Sequence, residues 1–207
     1  MTNEAIRVST GLRLGANICM PHTCHCGSQV DARGNHGLSC KSSAGRHLRH
    51  GNNIIHRALG RAKINATREP TGLIPGSSLR PDGSTLIPWS RGKYLAWDAT
   101  VPDSLAASNL PSTCTQAGAA AKHASSSKQQ KYHDLPPSHL FVVIAIETLG
   151  PRNCEGLAFV KELGRRISID TGDPRETTFL LQKISVAVQM GNAVSIIGSL
   201  PLHETDD

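Results

Sequence analysis

Alternation is clearest in "YLAWDATV", where Leu95, Trp97, Ala99 and Val101 fall on one side of an extended chain and Tyr94, Ala96, Asp98 and Thr100 on the other. The stretch "LRPDGSTLI" reads as a weaker strand ahead of it, and "PWSRG" between them supplies turn residues, so the pair predicts a hairpin. The continuous apolar run in "HLFVVIAIETLG" has the character of a strand buried on both faces and belongs at a central position of a mixed sheet. Helical spacing appears in "GRHLRHGNNIIHRALGRA", where Leu48, Ile55, Leu59 and Ala62 make one apolar stripe. An alanine-rich segment, "STCTQAGAAAKHASSSKQQKYHDL", predicts a helix ending before Pro136, with Ala117, Ala121 and Ala124 as its small-residue stripe. "PRNCEGLAFVKELGRRI" predicts a helix that stops near Gly164. "DPRETTFLLQKISVAVQMGN" predicts another, with Asp173 as N-cap, Pro174 in the first turn and Glu176 completing a capping box, closed by Gly191 and Asn192. The resulting order is helix, strand, strand, helix, strand, helix, helix. That is a small α/β sandwich with the polar face of the hairpin open as a cleft.

The 207 residues suffice for one compact domain, or for one such domain plus a small module, and with 3% aromatic residues the core must be aliphatic. A net charge of +6 favours polyanionic partners over acidic ones, without separating nucleic acid from a membrane surface. The opening "MTNEAIRVSTG" has no secretory character, and "FVVIAI" is far too short to span a bilayer. The expectation is a soluble protein of the nucleus or cytoplasm, without membrane attachment. Six cysteines in such a compartment are thiols or metal ligands rather than bridges.

Three of them crowd into "PHTCHCGSQVDARGNHGLSC". Cys24 and Cys26 can supply one edge of a tetrahedron while a loop returns His36 and Cys40 for the other, the donor set zinc prefers. His22, His25 and Cys19 are possible substitutes; Cys114 and Cys154 read as buried thiols. Downstream, Arg46, Arg49, His50, Arg57 and Arg61 fall mainly away from the apolar stripe of their helix, a face suited to phosphates or merely solvated.

The hairpin poses the sharper question, because a register symmetric about Ser90 makes Asp82 and Asp98 cross-strand partners. Two ionised carboxylates at roughly 5 Å repel. A divalent cation reverses that, since Mg²⁺ accepts one or two carboxylates and fills its other positions with water and phosphate oxygen. The alanine stripe continues to Lys128, with Lys131 near the same line and Lys122 opposite, so an amine can lean along the core surface toward the acids. Glu147, ending the apolar strand, is either an outer-shell or second-metal ligand or a cap for the helix that follows it.

Taken in order, "CHCG…GNHGLSC", "GRHLRHGNNI", "REPTGL…LRPDG", "WDATV" and "KQQKY" resemble the C-terminal region of non-LTR retrotransposon proteins that carry a restriction-like endonuclease. Such regions have a CCHC zinc motif followed by a nuclease of the PD-(D/E)XK superfamily, and the resemblance covers about residues 12–195. It implies a restriction-endonuclease-like mixed sheet flanked by helices, with a zinc-binding CCHC module in residues 1–45 and the nuclease domain in 46–207. It also implies that Asp82 is the acid of the "PD" motif, Asp98 the second Mg²⁺-binding acid and Lys128 the lysine displaced onto a helix, with Lys131 as the alternative amine. Arg46, Arg49 and His50 match the "R-x-x-R-H" stretch after the zinc motif, while Thr100 stands where the commoner pattern has its lysine. The implied activity is Mg²⁺-dependent nicking of DNA to prime reverse transcription, with a reverse transcriptase, absent from these 207 residues, as a candidate partner. The rival expectation is a catalytically inactive module of the same origin that grips DNA or structured RNA.

Overall fold

The structure, a computed structural model, describes residues 1–43, 45 and 52–200. In chain order the elements are α1 (Asn3–Leu14), β1 (His22–Thr23), β2 (Gln29–Val30), α2 (His36–Ser39), α3 (Asn52–Arg61), β3 (Ala66–Arg68) and β4 (Gly83–Thr85). They are followed by β5 (Tyr94–Thr100), α4 (Leu110–Thr113), α5 (Ala119–Lys131), β6 (His139–Ala145), α6 (Cys154–Thr171) and α7 (Glu176–Ile197). β1 and β2 form a small antiparallel pair, and the main sheet has the order β3-β4-β5-β6, antiparallel except for the parallel pair β5–β6. The fold is a mixed α/β sheet flanked by helices, preceded by a compact Cys/His loop.

β5 alternates in sequence, yet both of its faces are buried. Leu95, Trp97 and Ala99 enter the main core with Ile55 and Leu59 of α3, Leu163 and Ile167 of α6, and Ile184 and Val188 of α7. On the other face Val143, the register partner of Asp98, lies with Ala145 against Ala121 of α5. The polar face is therefore roofed by α5 rather than open as a cleft. The buried residues Ala119, Ala120 and Ala121 let that helix approach closely. Its sheet-facing line runs through the buried Ala121 and Ser125, the partly exposed Lys128 and, just past its end, the buried Tyr132; Ala117 precedes the helix and is exposed, because Gly118, at φ 85°, breaks the alanine-rich segment into α4 and α5.

β6 lies at an edge of the sheet, not at its centre. Helices on both of its faces hide its apolar run without a second strand neighbour. Gly164 does not end α6, which continues to Thr171 and is closed by Gly172 in the left-handed conformation. A Cβ at Gly164 would stand 2.6 Å from the Cα of Thr177, so this glycine serves the close crossing of α6 and α7. α7 likewise runs through Gly191 and Asn192; the buried Asn192 donates from Nδ2 to the Thr148 carbonyl at 2.7 Å, anchoring the helix where a terminus was expected. At its start Asp173 does accept the Arg175 amide, at 2.9 Å, but Glu176 turns away to pair with Arg61.

α1, β3 and the short elements of the Cys/His loop, β1, β2 and α2, had no counterpart in the sequence reading. α1 is capped by the Thr2 hydroxyl and packs Val8 and Leu12 with Ile18, Leu38 and Ile196. β3, three residues long, forms the far edge of the sheet. α7 is long and apolar enough to cross a bilayer, but half of that stretch is buried in the fold, as befits a core helix.

Candidate functional site

His36 begins α2 and Cys40 follows its end, one helical turn apart, which puts both side chains on the same side. Facing them is the β1–β2 turn, closed by the Cys24 amide on the Ser28 carbonyl at 2.9 Å. The donor atoms of Cys24, Cys26, His36 and Cys40 all lie within 4.8 Å of one another. Cys24 Sγ and Cys40 Sγ are 3.8 Å apart, the edge of about 3.8 Å that two thiolates make around zinc at ~2.3 Å each. Cys26 Sγ is 3.2 Å from His36 Nε2. The Ser28 hydroxyl and amide bring the Cys26 thiol down to about 6, favouring the thiolate that a metal takes. The candidate substitutes fall outside this group of four, although Cys19 packs against its buried cysteines. His22 is held between the carbonyls of Met20 and Ser199, at 2.8 Å each, and Cys19 donates to the Asp31 carbonyl. This cluster has the geometry to bind zinc. Cys114 and Cys154, expected to be buried, are exposed, the first beside a surface turn and the second at the start of α6.

The second site is the hairpin. Gly83 pairs with Trp97 and Ser84 with Ala96, so one further step sets Asp82 opposite Asp98. That matches the register of a hairpin centred on Ser90, but the tip itself lies at Arg91–Gly92, closed by the Lys93 amide on the Ser90 carbonyl at 2.9 Å. The offset is absorbed along Leu86–Trp89, where Pro88 cannot donate to a ladder. Gly83 is required at its position, since a Cβ there would lie 2.1 Å from the Trp97 ring.

From α5, Lys128 Nζ reaches Asp98 with 3.0 and 3.1 Å bonds to Oδ1 and Oδ2. The Asp98 side chain is only 4% exposed and that of Lys128 29%. Asp82 Oδ2 accepts the Ala99 amide at 2.7 Å. Burial, reinforced by the charge of Asp98, pushes the Asp82 carboxyl up to about 6. A carboxyl that holds its proton more tightly when folded loses stability as pH rises from about 4 to about 6, where only the unfolded chain has already ionised. Asp82→Asn is accordingly expected to remove a decline in urea midpoint between pH 4 and pH 6. An unchanged profile would mean that Asp82 is not the group responsible.

Tyr132 and Glu69 complete the surroundings, and sequence reasoning singled out neither. Tyr132 is buried beside Asp98 and donates its hydroxyl to the Arg80 carbonyl at 2.7 Å, tying the segment before Asp82 to α5. Burial and the Asp98 charge hold that hydroxyl protonated. The Glu69 amide donates to the Asp82 carbonyl at 3.1 Å, extending the row so that Glu69, Asp82 and Asp98 lie across three neighbouring strands. The signal for Glu69 was its place just after a strand too short to show alternation.

The remaining candidates are dispersed. Lys131 is exposed and lies 5.2 Å from the centre of the Tyr132 ring rather than at Asp98. Arg57 is exposed on α3, in the layer across the sheet from the acids, and Arg61 is paired with Glu176. Arg46, Arg49 and His50, with Leu48, lie outside the described residues. Glu147 is no ligand of the acid row: its Oε2 accepts the Ser104 hydroxyl at 3.0 Å and its Oε1 the Ala121 amide at 3.2 Å. It thus caps α5, the helix before it in sequence, whose own N-cap, Gly118, has no side chain to offer. Among the described residues the Cys/His cluster is the one grouping of three or more metal donors.

Together these features define a mixed α/β domain carrying a metal-competent Cys/His loop and a pair of opposed acids, one of them held by Lys128. Set against known proteins, the chain matches no family description and no curated protein.

Proposed function

We propose that this chain is a metal-dependent DNA endonuclease of the restriction-like kind, with a structural zinc ion on Cys24, Cys26, His36 and Cys40. The observation that carries this reading is the delivery of Lys128 from the roofing helix onto Asp98, with Asp82 in the opposed register position. Setting the half-buried Asp82 opposite the buried Asp98 is costly for a purely structural protein. A Mg²⁺ ion between them would supply Lewis-acid polarisation of a phosphodiester and an activated water. Asp82, whose proton is held up to about 6, is ready to exchange it for a cation near neutral pH. Lys128 fixes the orientation of Asp98 and brings a positive charge to where phosphate charge develops. DNA is the substrate of this reading, structured RNA an additional ligand, and a reverse transcriptase a partner on another chain, all in the nucleus or cytoplasm.

Purified protein is expected to nick supercoiled plasmid only with added Mg²⁺ or Mn²⁺, and Asp82→Ala to abolish nicking. Equal nicking by both proteins would overturn the proposal. A second reading, a clamp that binds without cutting, draws on the same ion pair, because Lys128 already satisfies both oxygens of Asp98. It predicts salt-sensitive binding that Asp82→Ala leaves intact, with no cleavage in either protein.

A further inference from the structure

Across the sheet from the acids, a cavity of about 150 Å³ opens between α3 and α7. Its floor is apolar, formed by Ile54, Ala58 and Leu180, and its rim carries Arg57, Arg61 and Lys183. Phe179 lines it while remaining 45% exposed, and the Arg175 guanidinium stands 5.2 Å from the ring centre. Of the three rim cations only Arg61 is ion-paired among the described residues, to the buried Glu176. The space is well below the ~300–1,000 Å³ of a drug-sized ligand pocket and suits one planar ring.

We infer that this groove holds an unpaired nucleobase of a single-stranded polynucleotide, stacked on Phe179, with the neighbouring phosphates on Arg57 and Lys183. Partly exposed aromatic rings among cations are the means by which proteins grip single strands without reading sequence, since every base offers a π face and every linkage a charge. A paired base cannot present its face to such a cavity without leaving its stack. The net charge of +6 supports a polyanionic occupant. An acidic peptide shares the charge but supplies no flat ring. The site lies in the layer opposite Asp98, so it is separate from the proposed scissile phosphate and acts whether or not the chain cuts.

The test is fluorescence anisotropy of the full chain with labelled oligothymidine, a duplex of equal length and a poly-glutamate peptide, with no divalent cation added. Oligothymidine is expected to bind at least tenfold more tightly than duplex. Phe179→Ala and Phe179→Leu should each weaken it at least fivefold, while Phe179→Trp retains it; leucine keeps the apolar contact without the π face. Lys183→Ala should lower the salt slope by about one phosphate contact. Full affinity in Phe179→Leu, equal binding of duplex, or preferential binding of the peptide would each overturn the inference. Plasmid nicking by the same variants reports separately on the acid site.

Discussion

Lys128→Met is expected to destabilise the folded protein by about 3–5 kcal/mol, and millimolar Mg²⁺ to return a large part of that loss. The Asp98 carboxylate is 96% hidden and is held by two bonds from the amine, so removing the amine leaves a charge sealed under α5. Breaking one side of a buried ion pair costs more than the pair contributes, because the remaining partner keeps its desolvation penalty. Pairing the change with Asp98→Asn removes the stranded charge and is expected to restore most of the stability. Urea midpoints of the two single variants and the double variant, each with and without Mg²⁺, isolate the coupling. A Lys128→Met protein as stable as the parent would show that the ion pair does not hold the roof. One that is destabilised but indifferent to Mg²⁺ would remove the cation from between Asp82 and Asp98.

Withholding zinc from the metal-competent Cys/His loop is expected to give the second large effect. The loop does not stand apart from the sheet domain: α1 and α2 pack Val8, Leu12 and Leu38 on Ala193 and Ile196 of α7, and His22 reaches the Ser199 carbonyl. Zinc on such a site contributes on the order of 10 kcal/mol, comparable to the entire ~5–15 kcal/mol stability of a typical domain. Chelation, or Cys40→Ser, is therefore expected to melt the segment from α1 through α2 and to loosen the last turns of α7, leaving β5 and β6 protected. Hydrogen exchange read by mass spectrometry resolves these regions. Identical protection with and without chelator would mean that packing alone holds the loop.

Local periodicity carried much of this molecule. The period of two in "YLAWDATV" located Asp98, and helical spacing from Ala121 placed Lys128 on the sheet-facing line of α5. The Asp82–Asp98 register was legible although the tip was not, because the slack in Leu86–Trp89 compensates a turn shifted to Arg91–Gly92. Glycine was the chief source of error. Gly164 and Gly191 were read as stops, but the first allows two helices to cross and the second lies within a helix anchored by its neighbour Asn192. Gly118, read as part of a helix, breaks one. Each outcome depends on which element lies opposite, and that is not encoded within a few residues. β3 and Glu69 escaped for the same reason, since three residues carry no period and their position comes from pairing with β4.

Glu147 at one end of α5 and Tyr132 at the other tether the helix to β6 and to the chain before Asp82. The amine between them behaves as a strut of fixed length. Lengthening the connection between Pro102 and Gly118 would leave that strut in place, whereas deleting one residue between Ala121 and Lys128 would swing it by about 100° around the helix axis, away from its carboxylate. Tolerance of insertions should thus change abruptly where the roof begins.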